Sequence, residues 1–148
     1  QPGRVLPQFR AVWAGAIWDV HRPHEAFRNA RGDLDFVEIP LTSDRTVSDN
    51  WTGVGDVRIE SASADSIVCA AKQEVLRQIE ESSPVKHVCI LTHNFVNYWS
   101  ENESDRGRQG VLESAVSGLM EMGQGLGLEV CGVTTAEIRE TYLDRERG

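Results

Sequence analysis

One histidine stands where α/β proteins commonly place their catalytic residues. His93 directly follows the apolar run of residues 86–92 (KHVCILT), which predicts a buried strand. Ligands of parallel α/β sheets bind beyond the carboxyl ends of the strands, where this histidine would lie. A histidine at that point could act as a general acid or base near neutral pH, could ligate a metal, or could hydrogen-bond a loop backbone group. Position alone leaves these roles open.

A second group offers three side chains that are competent to bind a metal. Asp19, His21 and His24 lie within six residues of each other, and Glu25 is adjacent. Zinc takes histidine and carboxylate ligands readily. Pro23 lies between the two histidines, and no helical periodicity puts their side chains on one face. The pattern allows a metal site, and it also allows a solvated polar loop.

Aromatic residues cluster around the predicted loops and strand ends. Flat aromatic rings can stack on the apolar faces of sugars, although packing in the core is their commoner use. Trp51 and Trp99 stand in polar surroundings and are the better candidates for a ligand cleft. The full group is Trp13, Trp18, Trp51, Phe95, Tyr98 and Trp99.

Composition limits the classes of function. The chain has 148 residues, and we expect residues 1–148 to form a single domain. Its 15 basic and 23 acidic residues give a net charge of -8, which disfavours binding to nucleic acid or to an anionic membrane. No apolar stretch reaches the roughly 20 residues that a membrane-spanning helix needs. We therefore expect a soluble protein with neither a nucleic-acid partner nor a membrane span.

The cysteines indicate a reducing compartment. Cys69, Cys89 and Cys131 are odd in number, and each lies in an apolar run. This pattern predicts reduced thiols in the core and not a disulfide framework. It favours a cytoplasmic location, in agreement with the lack of a recognisable signal peptide in the sequence as given.

The order of the predicted elements indicates an α/β fold. Apolar residues of 64–83 recur at spacings of three and four, which predicts an amphipathic helix. The same spacing predicts a helix over residues 105–124, and Thr134 or Thr135 with Glu137 predicts the start of a third helix. Because strands alternate with helices in the second half, we expect mostly parallel strands. The predicted strands are residues 9–18, 34–41, 86–92 and 128–134.

Three segments, taken in order, resemble a known family. They are LDFVEIPLTSD (residues 34–44), VCILTHNF (88–95) and the stretch of residues 107–138, which begins GRQGVLES. They resemble the C-terminal half of the polysaccharide deacetylases, the NodB-like carbohydrate esterases, over roughly residues 9–142. The resemblance implies part of an irregular (β/α) barrel. It also implies metal-dependent removal of acetyl groups from a bacterial cell-surface glycan, as in O-antigen biosynthesis.

The resemblance further implies roles for particular residues, although ILTH is its only functional motif. His93 corresponds to the histidine of that motif, which assists as the general acid. Leu91 or Ile90 corresponds to the residue that lines the acetyl pocket, and Trp99 and Trp51 would border the sugar cleft. The complete family enzyme uses a divalent metal, for which zinc is the expected ion.

Two motifs of the family are absent from the sequence. No Asp-Asp pair and no His-x-x-x-His pair occurs, and the pair His21 and His24 has a different spacing and a different place in the order. We therefore expect no deacetylase activity from this chain alone. One hypothesis, which we favour, is that it is the C-terminal part of a longer deacetylase and needs the N-terminal half or a second copy. The other is that it is a reduced, non-catalytic relative.

Two further classes of function stay open. The chain could be a non-catalytic α/β module that binds carbohydrate or protein through its aromatic loops. It could also be a small complete α/β domain in which His93, His21 and Asp19 form an unrelated hydrolase or metal site.

Overall fold

The computed structural model describes residues 17–27, 30–44, 55–94, 98 and 108–148. Within these residues, the chain forms two short strands and three helices. The two strands pair antiparallel. Because each strand has only two residues, helices make up most of the regular structure in this part of the chain. The elements are β1 (Ser43–Asp44), β2 (Gly55–Asp56), α1 (Ala64–Glu80), α2 (Arg108–Gly125) and α3 (Thr135–Arg147).

Helix α1 confirms the predicted amphipathic helix, and its ends follow from local hydrogen bonds. Ser63 is extended, and its hydroxyl accepts a hydrogen bond from the backbone N–H of Ser66 at 3.1 Å, which caps the first turn. At the other end the N–H of Glu81 donates to the carbonyl of Arg77, and Ser82 then takes a positive φ of 54°. The buried face comprises Ile67, Ala70, Ala71 and Val75 with the polar Glu74 and Gln78.

Two clusters of buried apolar side chains form the core of the described chain. The first lies between α1 and α2, and the second joins α3 to the segments on either side of α1. Burying each larger aliphatic side chain stabilises the fold by about 1.5–3 kcal/mol relative to its exposed state. The first cluster contains Val57, Ile59, Ile67, Ala70 and Ala115, and the second contains Val20, Val85, Tyr142 and Leu143.

Small residues let α2 approach α1 closely. A Cβ atom added to Gly118 would lie 2.7 Å from Cγ2 of Val68, and Ala115 is only 1% exposed. A bulkier residue at position 118 would therefore push the two helices apart. Other apolar side chains of α2 remain largely in solvent, among them Leu112, Val116 and Met120.

Helix α3 begins with the capping box that the sequence predicted. The hydroxyl of Thr134 accepts from the N–H of Glu137, and the Glu137 carboxylate accepts from the N–H of Thr134 at 2.6 Å. The N–H and the hydroxyl of Thr134 both donate to the Glu137 carboxylate, and these two hydrogen bonds lower the pKa of Glu137. At the other end of the helix, Glu146 accepts from the Tyr142 hydroxyl at 2.8 Å and from Arg22 at 3.0 Å. The helix is thereby tied to the segment that follows Val20.

The predicted (β/α) barrel with mostly parallel strands is wrong for the part of the chain that the structure describes. The regular strands there are two residues long and antiparallel. Segments 34–41 and 86–92 contain only isolated bridges to their neighbours, and 128–134 contains none. An apolar run favours a strand, but a strand forms only where a neighbouring segment pairs with it in register over several residues. The predicted strand at 9–18 lies almost entirely outside the described residues.

The sequence predicted three reduced thiols in the core and no membrane-spanning helix. Cys69, Cys89 and Cys131 are all free thiols, but Cys69 and Cys131 are exposed, so the predicted core position is wrong for those two. Cys89 is partly buried, and burial raises the pKa of its thiol. No helix among the described residues has the length and apolar character needed to cross a membrane.

Candidate functional site

His93 is paired with a carboxylate that the sequence analysis did not single out. Nδ1 of its ring lies 2.9 Å from Oε1 of Glu60, and its backbone N–H donates to the same oxygen. The side chain of His93 is 34% exposed and that of Glu60 is 17% exposed. The carboxylate therefore fixes the orientation of the imidazole, while the ring keeps access to solvent.

The register of one bridge explains why these two residues meet. Glu60 lies in the turn of residues 58–62 that precedes α1. Arg58, two residues before it, forms a parallel bridge with Leu91. The N–H of Ile59 donates to the carbonyl of Leu91 at 3.3 Å, so the start of the turn lies against the end of segment 86–92. Glu60, in that turn, thereby comes within reach of the N–H and the ring of His93.

The turn that carries Glu60 is anchored from α2. The guanidinium group of Arg108 donates to the backbone carbonyls of Ile59 at 2.9 Å and Ala62 at 3.3 Å. The side chain of Ile59 is 3% exposed and belongs to the first core cluster. Both helices of that cluster therefore hold the backbone on which the carboxylate stands.

Glu60 is held in its charged form. Burial acts to raise the pKa of its carboxyl group, but hydrogen bonds from its own backbone and from the backbone and ring of His93 outweigh burial and lower it. Positive charge on His93 lowers it further. The second oxygen, Oε2, is buried and has no hydrogen-bond partner among the described residues. The charged carboxylate therefore lies against the imidazole of His93, an arrangement shared with catalytic carboxylate–histidine pairs.

Two hydroxyl groups lie beside this carboxylate. The Thr92 hydroxyl donates to Oε1 of Glu60 at 3.4 Å, and it also hydrogen-bonds to the hydroxyl of Tyr98. Tyr98 packs against the first core cluster. Tyr98 therefore joins the first core cluster to the Thr92 hydroxyl beside the pair.

The predicted substrate-binding residues are only partly covered by the structure. Leu91 is partly buried next to the turn of Glu60, whereas Ile90 packs against the first core cluster. The acetyl-pocket role of Leu91 stays a prediction. Trp51 and Trp99 lie outside the described residues, as do Trp13 and Phe95.

Asp19 belongs to a buried ion-pair network. Its Oδ1 accepts from Arg77 at 2.7 Å and from the Ser83 hydroxyl at 2.6 Å, and its Oδ2 accepts from Arg31 at 3.0 Å. Burial acts to raise the pKa of Asp19, but hydrogen bonds and positive charge from these partners lower it overall. Arg77 also binds Glu74 at 2.6 Å. Both oxygens of Asp19 are thus occupied by donors that a metal would have to displace.

The three residues of the predicted metal site are held by separate partners. Nδ1 of His21 bonds to the backbone carbonyl of Asp19 at 2.8 Å, whereas Nδ1 of His24 accepts from the N–H groups of Ala26 and Phe27. As arranged, they do not fit one metal ion. Across the described ranges, no group of three or more His, Cys, Asp or Glu residues could hold a metal.

Sequence reasoning singled out His93, whose catalytic role stays a prediction, and did not single out Glu60. The missed carboxylate lies in VRIESAS, just before the Ser63 cap of α1, and nothing in that stretch suggests chemistry. Its partner is 33 positions away, and the bridge between Arg58 and Leu91 brings the two segments together. The contacts of His93 and those of His21 form two separate groups, so they give no support to a site shared by both.

No protein-family model, curated protein or solved structure matches this chain. The pair of His93 and Glu60 is therefore the feature from which a function can be proposed.

Proposed function

We propose that His93 and Glu60 form the proton-donating centre of a deacetylase-type site that acts on an acetylated polysaccharide of the bacterial cell surface. The observation that carries this proposal is the 2.9 Å contact between Nδ1 of His93 and Oε1 of Glu60. A carboxylate on Nδ1 orients the ring and stabilises its protonated form, as in other catalytic carboxylate–histidine pairs. The proton is then given up from Nε2.

The chemistry assigned to the pair is protonation of the leaving group. When an acetamido sugar is hydrolysed, water gives a proton to a base as it adds to the acyl carbon, the C–N bond breaks, and the leaving nitrogen takes a proton from an acid. His93 supplies that proton, and Glu60 keeps its negative charge while the imidazolium becomes neutral. The products are acetate and a free amino sugar. A divalent metal, where bound, would polarise the acyl oxygen, but Asp19, His21 and His24 do not fit that role as arranged.

The chain supplies only part of the catalytic set that this reaction needs. The ordered resemblance of residues 34–44, 88–95 and 107–138 supports the assignment to deacetylase chemistry. The same sequence lacks the Asp-Asp and His-x-x-x-His motifs that would provide the base and the metal ligands. We therefore expect the chain alone to bind an acetylated glycan without releasing acetate.

The test is a titration of the 15N-labelled chain with oligomers of N-acetylglucosamine and with the same oligomers after chemical deacetylation. We expect the acetylated oligomers to shift the backbone signals of Thr92 and His93 more than the deacetylated ones. The His93→Gln variant should weaken binding about tenfold, because one good hydrogen bond to a buried ligand group is lost. His24→Gln is the matched control, since His24 contacts only its own loop and the Phe27 ring.

Two results would overturn the proposal. The first is binding that does not change in His93→Gln or that does not distinguish acetylated from deacetylated oligomers, which is what a general carbohydrate-binding module would give. The second is acetate release that persists in His93→Gln. An assay for acetate with and without added zinc accompanies the titration, and we expect no release from the wild-type chain.

A further inference from the structure

A histidine outside the proposed catalytic pair has a buried nitrogen without a partner. His21 is 1% exposed, and its Nε2 has no hydrogen-bond partner among the described residues. Its Nδ1 lies 2.8 Å from the backbone carbonyl oxygen of Asp19. A carbonyl oxygen can only accept, so Nδ1 carries a hydrogen, and Nε2 of the neutral ring carries a lone pair.

A carboxylate lies close to this lone pair. His21 and Glu38 are directly opposite each other in an antiparallel bridge, and each donates its N–H to the other's carbonyl, at 3.2 and 2.8 Å. Residues opposed in this way project their side chains to the same face. Oε2 of Glu38 lies 3.9 Å from Nε2 of His21. This distance is too long for a direct hydrogen bond even when Nε2 is protonated.

The other buried histidine is fully satisfied, so the feature is local to His21. Nε2 of His87 lies 3.0 Å from the carbonyl oxygen of Pro40, and its Nδ1 lies 3.4 Å from the side-chain nitrogen of Gln78. A histidine with partners on both nitrogens has a structural role. At His21, by contrast, two electron-rich atoms approach each other, and a cation between them would satisfy both.

We propose that Nε2 of His21 and the carboxylate of Glu38 bind a divalent transition-metal ion, with zinc the best fit. Zinc holds histidine nitrogen and carboxylate oxygen at about 2.0–2.2 Å, which in tetrahedral geometry sets the two atoms about 3.4 Å apart. The side chain of Glu38 is 54% exposed, so it can close the remaining gap and water can fill the other positions. The set differs from the sequence-based one, because Glu38 replaces Asp19 and His24.

The hydrogen bond on the other ring nitrogen of His21 supports a metal-binding role. Metal-binding histidines commonly donate their other N–H to a backbone carbonyl, which fixes the ring and its tautomer. His21 does this with Asp19. With only two protein ligands, the bound ion exchanges with solvent and differs in this respect from a closed structural zinc site. The site is independent of the glycan function proposed above.

The test is isothermal titration of the whole chain with zinc chloride after removal of metal by a chelator. We expect saturable binding of one ion per chain. Glu38→Gln keeps the size and the exposed position of the side chain, and it should weaken zinc binding by about tenfold or more. His21→Ala should abolish the binding. Glu25→Gln, an exposed glutamate of the same segment, is the matched control and should bind as the wild type does.

Three outcomes would overturn the proposal. They are the absence of saturable binding, equal binding by Glu38→Gln and wild type, and a loss of binding in His93→Ala that Glu38→Gln does not share. The last would place the ion at the pair of His93 and Glu60. Circular dichroism of each variant shows whether it is folded, and Glu38→Gln decides the question if His21→Ala is not.

Discussion

Asp19 and Glu60 are largely buried carboxylates that the protein holds in contrasting ways. Asp19 uses both oxygens, and its partners are two arginines and a serine hydroxyl. The hydrogen bonds of Glu60 converge on Oε1, while Oε2 is buried and has no hydrogen-bond partner in the part of the chain that the structure describes. Both carboxyl groups have a lowered pKa. The cations at Asp19 are permanent, whereas the ring beside Glu60 can gain or lose its proton.

This difference separates a structural carboxylate from one suited to chemistry. A buried network in which every lone pair has a donor rigidifies the fold and has no reason to respond to a ligand. A carboxylate with a titratable partner can change its electrostatic state when that partner transfers a proton. The contrast therefore predicts that changes around Asp19 act on stability, and that changes around Glu60 act on ligand binding.

The largest effect is expected from Arg77→Met. Arg77 binds both Asp19 and Glu74, and its removal takes a cation away from each of these buried carboxylates, while Asp19 keeps its ion pair with Arg31. The free energy of unfolding should fall by about 3–5 kcal/mol, measured by urea denaturation. Arg147→Met is the control, because the Arg147–Asp144 pair is exposed and should contribute less than about 1 kcal/mol. Equal losses of unfolding free energy in the two variants would contradict a structural role for Asp19.

A matched pair of hydroxyl deletions should give the next largest effect. The Ser83 hydroxyl donates to Asp19 at 2.6 Å inside the fold, whereas the exposed Thr92 hydroxyl lies 3.4 Å from Glu60. Ser83→Ala should lower the free energy of unfolding by about 1.5–3 kcal/mol, since it removes a buried hydrogen bond to a charged group. Thr92→Val removes the exposed hydroxyl and keeps the shape of the side chain, and it should lower the free energy of unfolding by less than about 1 kcal/mol. A larger loss in Thr92→Val than in Ser83→Ala would reverse the comparison.

Acid should destabilise the protein through the same two carboxylates. A carboxyl group with a lowered folded pKa stabilises the fold fully above its ordinary pKa, which is 3.8 for Asp19 and 4.5 for Glu60. The stabilisation is lost as the pH falls through the lowered values. Denaturation at a series of pH values below 5 should show this loss. Asp19→Asn should reduce the slope, and an unchanged slope would show that other groups are responsible.

The smallest effect on stability is expected from Glu60→Gln. The substitution keeps the shape of the side chain, and one of its oxygens makes no hydrogen bond among the described residues. The free energy of unfolding should change by less than about 1 kcal/mol, while binding of acetylated oligomers should fall as in His93→Gln. Urea denaturation and the oligomer titration measure the two effects. A loss of stability as large as that in Arg77→Met would make Glu60 structural too.

The helices show how much of the fold could be predicted from local sequence. The three-to-four spacing in residues 64–83 predicted α1, and Thr134 with Glu137 predicted the first turn of α3. These features depend on neighbours three or four residues apart, which the sequence shows directly. The barrel prediction was wrong, because strand pairing depends on distant segments and is not visible in local sequence. Segment 86–92 reads as a strand, but its one bridge, at Leu91, depends on where residue 58 lies.

The sites show the same division between local and distant information. The sequence analysis singled out His93 after an apolar run and grouped Asp19 with His21. In the structure, His93 contacts Glu60, and the ring of His21 bonds to the backbone of Asp19. The partners that decide what these residues do are Glu60, Arg77 and Glu38, which lie far along the chain from the residues they contact. No spacing rule connects them, since contacts of this kind arise only from the packing of distant segments.

By itself, the sequence determined the charge, the helices with their caps, and the histidine that ends the run before residue 93. These follow from composition and from interactions within one helical turn. Three contacts were decided only by the tertiary structure. The ring of His93 contacts the Glu60 carboxylate, Asp19 binds two arginines, and the buried Nε2 of His21 lies close to Glu38. The physical reason is that the role of a polar side chain is set by the partners that burial brings to it.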